Sequence, residues 1–223
     1  MNKSTSIYDI PSAAEVAQMA AVKGLIETGA FFHANRWSYA TSSNYSVVLS
    51  REPLRILITA SGRDKSKLGS CDFTIVDETG RTIEAAMPKP SAETLLHVVA
   101  AQEAGAGAIL HTHSVWGTLL SDLFFAQKGF AIEGYEMLKG FDGLATHETR
   151  KWVEIFDNTQ DIPDLAKIIQ NRLRDTGNPL KHGYLIRGHG LYTWGRDLAE
   201  ARRHIEVFEF LFEVLGRKLS LRA

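Results

Sequence analysis

Cysteine occurs once in the 223 residues, at Cys71, so no intramolecular disulfide can form and a reducing compartment is the expectation. Long apolar runs are missing: none approaches the roughly 20 residues of a membrane span, and the opening MNKSTSIYDI lacks the apolar core of a signal peptide. Excess charge is missing too. The formal net charge is -1 and the Lys and Arg residues are scattered, which argues against a nucleic-acid stripe or a basic membrane-binding face. A local cationic pocket for a small anionic metabolite stays open. Internal repeats, low-complexity tracts and linkers are absent as well. These absences together predict a cytoplasmic protein with no nucleic-acid or membrane partner.

What is present suits one sizeable domain over residues 1–223, with 1–11 as a loose N-terminal arm, because a chain of this length buries a core without disulfide or structural metal. Ser12 followed by Glu15 has capping-box spacing, and Val16, Met19, Val22 and Ile26 carry a helical stripe to about Phe32. Strands are predicted after the Ser/Thr/Asn cluster at 41–44, over Leu54 to Ala60, and over Asp72 to Asp77, the last turning through Asp77-Glu78-Thr79-Gly80 into Arg81 to Glu84. A helix with Ser91 as N-cap ends near Gly105, and a strand follows from Ala108 to His113. Beyond it lie strand candidates at FAIEG and Trp152 to Phe156, and a helix from Asp161 to Arg174. Two extended pieces then flank a Gly-His-Gly corner, and Asp197 to about Leu215 forms a closing helix. Helices and strands interleave, often with hairpin-length connections, which predicts an α/β protein with a mixed, largely antiparallel sheet covered by helices.

The chemistry concentrates in AILHTHS. Side chains alternate along a strand, so His111 and His113 point the same way, at a strand end over a helix start at Ser114. Two imidazoles make half a metal site, the alternative being two histidines bonded to neighbouring backbone. Of the other histidines, His33, His97 and His204 fall inside helical patterns and read as structural, and His147 and His182 lie in polar segments with nothing specific around them. His189 differs, because Gly188 and Gly190 would let the chain turn sharply and present the imidazole; the alternative is a plain turn. Two carboxylates could move protons beside a metal. Glu93 falls in a first helical turn, where the dipole favours the charged form, and Glu136, bracketed by apolar residues in GYEMLKG, is expected to have a raised pKa. Either could be a solvated surface acid. Three loops offer hydroxyls and backbone N–H groups to an anion: Thr41-Ser42-Ser43-Asn44, Thr59-Ala60-Ser61-Gly62 and Lys89-Pro90-Ser91.

The ordered set ATSSNYS, TASGRDK, KPSAETLLH, AILHTHS, GYEMLKG and LIRGHGLYTWG resembles the class II aldolase and adducin-head family from about Ala20 to Leu215. The resemblance implies a three-layer α/β/α fold, with a central, mainly antiparallel sheet, assembled as a homotetramer. It implies Zn2+, one per subunit, held by His111, His113 and His189, and a phosphorylated ketose as substrate. Ser43, Asn44, Ser61, Gly62 and Ser91 match its phosphate-binding positions, Glu136 the acid/base of its dehydratases, and Glu93 the proton-transfer group of its aldolases. The expected activity is dehydration of the ketose through a metal-stabilised enediolate. The alternatives are a class II aldolase or 4-epimerase, and a non-catalytic adducin-head-like module. Ser43 departs from the family's usual glycine, so a hydroxyl contact replaces a close backbone approach. For the hydrophobic end of the substrate, Trp116, Phe124, Phe125 and Tyr135 are apolar candidates.

Overall fold

A computed structural model describes residues 11–221, so almost all of the expected loose arm lies outside the described residues. The first helix, α1 (Ala13–Ala34), starts at the reciprocal box between Ser12 and Glu15, in which each side chain takes up an N–H group that the first turn leaves unbonded. β1 (Asn44–Arg51), β2 (Leu54–Thr59) and β3 (Phe73–Val76) form an antiparallel meander. The expected strand over 81–84 is reduced to a single Val76–Thr82 bridge, because the Asp77 carboxylate draws the Thr79 and Arg81 N–H groups into a tight turn.

α2 (Thr94–Glu103) leads into β4 (Ala108–Thr112), and α3 (Val115–Leu123) follows, capped by Ser114. α2 starts three residues after Ser91, so Glu93 rather than the expected Ser91 is the N-cap, the Ser91 hydroxyl accepting instead from the Glu93 N–H at 3.3 Å in the turn before the helix. β5 (Gly129–Glu133), β6 (Arg150–Phe156), α4 (Ile162–Leu173), β7 (Gly183–Ile186), β8 (Gly190–Gly195) and α5 (Leu198–Ser220) complete the chain. Asp161 and Asp197 cap the last two helices through their carboxylates.

The eight strands form one sheet in the order β3-β2-β1-β4-β8-β7-β6-β5, and only β6–β7 is parallel. Side-chain alternation sends Ala108 and Leu110 to one face, against α1, α3 and α5, and Ile109 to the other, against α2 and α4. His111 and His113 share the α2/α4 face with Ile109. Thr112 faces α5, where its hydroxyl donates to Glu209 at 3.0 Å. The expected three-layer α/β/α architecture is therefore present. Its central strands β1, β4 and β8 bring the sequence-distant segments 41–44, 108–113 and 189–192 side by side.

Candidate metal centre and anion cavity

β8 pairs antiparallel with β4, so His189, just before β8, arrives beside the end of β4 that carries His111 and His113. Its position is fixed from the α3 side: Thr118 donates to the His189 carbonyl at 3.1 Å, and the Gly188 N–H donates to Ser121 at 3.0 Å. Gly188 makes the corner with a left-handed φ of 57°. Gly190 has another role, because a Cβ there would stand 2.0 Å from the Thr112 carbonyl oxygen. The glycine lets β8 lie close against β4.

The three Nε2 atoms converge: His111 lies 2.8 Å from His113 and 3.3 Å from His189. Nitrogens bound tetrahedrally to zinc at about 2.0–2.1 Å stand roughly 3.3–3.4 Å apart, so the donor set fits one divalent ion with little adjustment. His111 Nδ1–H donates to the Leu191 carbonyl at 2.9 Å, which leaves the Nε2 lone pair for a metal. Burial holds the His111 imidazole well below its ordinary pKa, with His113 and His189 adding to the effect. Burial and His189 also bring His113 down to about 4. Both are neutral at physiological pH, the form that ligates.

Glu93 stands against this triad. Its Oε1 is 3.2 Å from His189 Nε2, and its Oε2 is 3.5 Å from His111 Nε2. Oε2 accepts from Asn44 Nδ2 and from the Tyr192 hydroxyl, each at 2.8 Å. Tyr192 is cross-strand partner to His111 and stacks on it, with ring centroids 4.0 Å apart and planes 14° apart. Burial and the Glu93 charge push its phenol well above the ordinary range, so it remains a neutral donor. Asn44 also contacts His97, whose Nδ1 lies 2.7 Å from the Ser46 hydroxyl. His97 is thus structural, as expected, and it braces the carboxylate from behind.

The three anion loops come together. Ser43, Asn44, Ser61, Gly62 and Ser91 line one cavity of about 340 Å³ with Glu93, His113 and His189. Ser43 is buried with φ 71°, the left-handed conformation that glycine adopts most easily. Asn44 spends its amide on Glu93 and Ser91, so it orders the wall of the cavity. Lys65, Tyr192 and the segment 158–160 are also part of this region, and sequence reasoning missed them.

Glu136 is elsewhere. It begins a 3₁₀ turn, Glu136–Gly140, after β5, which is the edge strand four positions from β4 and runs counter to it. The side chain is 68% exposed and pairs with Lys139 at 2.5 Å and His147 at 2.8 Å. The expected raised pKa is reversed: the Lys139 ammonium, hydrogen-bonded to the carboxylate, leads in holding it below the usual range. Apolar neighbours in sequence gave no apolar surroundings. Trp116, Phe124, Phe125 and Tyr135 pack on the α1/α3/α5 core and line no part of the cavity. His182 is buried rather than unremarkable, stacked on Phe141 with Nε2 donating to the Asp142 carbonyl at 2.8 Å.

Fold and site together define an α/β protein of the class II aldolase type, with a histidine triad that could hold a metal beside a hydroxyl-lined cavity at the strand ends. L-Fuculose 1-phosphate aldolase has the same fold, with a TM-score of 0.74 at 20% identity over 95% of this chain and 89% of that one. The aldolase of that name from Thermus thermophilus superposes at 0.70 and 23% identity, over 92% and 99%. The chain belongs to the Class II Aldolase and Adducin N-terminal domain family, whose pattern it matches over residues 23–215. Among named relatives, methylthioribulose-1-phosphate dehydratase of Marinobacter nauticus is 47% identical over 208 residues, covering 93% of this chain and 95% of the relative. The enzyme of that name from Pseudomonas syringae pv. tomato is 50% identical over 190 residues, covering 85% and 90%.

Proposed function

We propose that this protein is a zinc-dependent methylthioribulose-1-phosphate dehydratase of methionine salvage. It would convert 5-methylthioribulose 1-phosphate to 5-methylthio-2,3-dioxopentyl phosphate and water. The observation that carries the reading is the Glu93 carboxylate, fixed 3.2 Å and 3.5 Å from two triad nitrogens on the wall of the anion cavity. The nearly full-length relatives of that name support the choice of substrate.

His111, His113 and His189 would hold the ion, and the chemistry it supplies when bound is Lewis acidity, which acidifies the carbon next to a carbonyl. Ser43, Ser61, Gly62 and Ser91 grip the phosphate and set the sugar's register over the triad. Glu93 then takes the C3 proton, held in place by Asn44 and Tyr192. The electron pair left at C3 moves along the chain as the C4–O bond breaks, and the departing hydroxyl needs a proton. Glu136 would pass that proton on, relaying it from the Lys139 ammonium with which its carboxylate is paired. Since it stands four strand positions from the triad of its own chain, it serves the site of a neighbouring subunit. The remaining enol takes up a proton at C4, loses the proton of its C3 hydroxyl and becomes the 2,3-diketone.

An assembly, proposed as a homotetramer, is supported by Val115, Leu119 and Leu123 of α3. They repeat every fourth residue just beyond the triad and are 54%, 54% and 60% exposed. No described helix is long and apolar enough to cross a membrane, in keeping with the proposed cytoplasmic location.

The test is to incubate metal-loaded protein with methylthioribulose 1-phosphate and follow the ultraviolet absorbance of the diketone, with chelator-treated protein as the silent control. Release of two carbonyl fragments would instead make the chain an aldolase, which would use the same Glu93 as its proton-transfer group. A metal-loaded protein that leaves the substrate unchanged overturns both.

A further inference from the structure

One wall of the cavity carries a buried ammonium that makes no direct ion pair among the described residues. Lys65 lines the cavity and is only 2% exposed as a residue. Its Nζ donates to the carbonyl oxygens of Thr41 at 3.2 Å and Arg63 at 2.6 Å. An ammonium has three N–H donors, and those two bonds leave the third without an acceptor among the described residues. Carbonyl oxygens carry no net charge to offset it. The two nearby acids are engaged otherwise, Asp72 with Arg63 at 3.2 Å and Asp64 with the Ser66 hydroxyl at 2.7 Å. Burial pushes Lys65 down to about 8, against a smaller upward pull from the Asp64 and Asp72 charges. A desolvated ammonium that no carboxylate contacts directly among the described residues is stabilised when an anion arrives to pair with it.

The two carbonyls matter as much as the charge. Thr41 opens the first anion loop, and Arg63 follows directly on the second. The one ammonium therefore ties together the backbones that present Ser43 and Ser61. We propose that Lys65 is the cation that receives the substrate's phosphate, a phosphomonoester dianion, completing a grip whose other donors are neutral. This rests on reading the chain as acting on a phosphorylated ketose. Hydroxyl and backbone N–H donors orient a phosphate, and a lysine supplies the full charge that sets it apart from a neutral sugar end.

Inorganic phosphate is the probe, titrated calorimetrically into the metal-loaded full chain. Lys65→Met is expected to weaken phosphate binding at least tenfold, whereas Lys65→Arg retains most of it. In the ¹⁵N-lysine side-chain NMR spectrum, phosphate is expected to bring out a slowly exchanging ammonium signal that Lys65→Arg lacks. That second measurement decides the matter if Lys65→Met fails to fold. Unchanged phosphate affinity in folded Lys65→Met, or no Lys65 signal in the unsubstituted protein, overturns the assignment. Phosphate bound through Lys65 by a chain that leaves methylthioribulose 1-phosphate unreacted would remove the functional reading and keep this one. Turnover without a Lys65 signal would do the reverse.

Discussion

Glu136 and the histidine triad lie in different regions of one chain, and mixing subunits tests whether they meet in one active site. β5, which delivers Glu136, is four strand positions from β4; at about 4.8 Å per position that is roughly 19 Å along the sheet. A proton donor has to come within about 3 Å of its target, so no side-chain rotation closes the gap inside a subunit. Glu136→Gln keeps the volume and removes the ionisable carboxylate; His111→Ala removes the most buried ligand. Each variant alone is expected to lose turnover, the first with its metal content intact. Co-expressed in equal amounts and assembled at random, the two give about one site in four an intact triad and an intact neighbouring glutamate. Diketone formation should thus return to about a quarter of the unsubstituted rate from two inactive parents, by the same statistics. A mixture no more active than the mean of its parents would refute the cross-subunit role of Glu136.

Tyr192→Phe deletes one hydrogen bond to the Glu93 carboxylate and keeps the stack on His111. A bond to a charged group is worth about 1.5–3 kcal/mol, so kcat/KM should fall by between about ten- and a hundredfold with metal content unchanged; full activity would contradict the positioning of Glu93. Glu209, buried beneath β4, is pushed up to about 7 by burial from an ordinary 4.5. Between those values the folded chain keeps a proton that the unfolded chain releases, so stability falls as pH rises through the window, by up to about 3 kcal/mol. Glu209→Gln should remove that slope. Its melting temperature, measured against the unsubstituted protein, should gain from pH 5 to about pH 7 and level off above, and a constant difference across that range would contradict the assignment.

Features that depend on a few adjacent residues were legible before the fold was known. The capping box at Ser12 and the helix starts at Ser114, Asp161 and Asp197 were legible because capping is a bond between neighbours, whereas the cap expected at Ser91 falls instead at Glu93. The shared direction of His111 and His113 follows from strand pleat alone. Tyr192 went unseen because only the β4–β8 register places it opposite His111, some eighty positions earlier. Lys65 is polar in a polar loop, and nothing local marks it as buried. The forecast for Glu136 failed for the converse reason: Met137 and Leu138 beside it turn to other surroundings in a 3₁₀ turn, leaving the carboxylate in water with Lys139. Trp116 and the aromatic pair Phe124–Phe125 were ambiguous for want of knowing which side of the sheet α3 covers.

The contact at Gly190 makes strand separation itself a determinant of how tightly an ion is chelated. Any larger residue there would wedge β8 from the Thr112 carbonyl and spread the bite of the chelate while leaving every coordinating side chain intact. A protein altered in this way would retain a complete ligand signature and lose affinity for its ion, so an inventory of histidines alone would misjudge it.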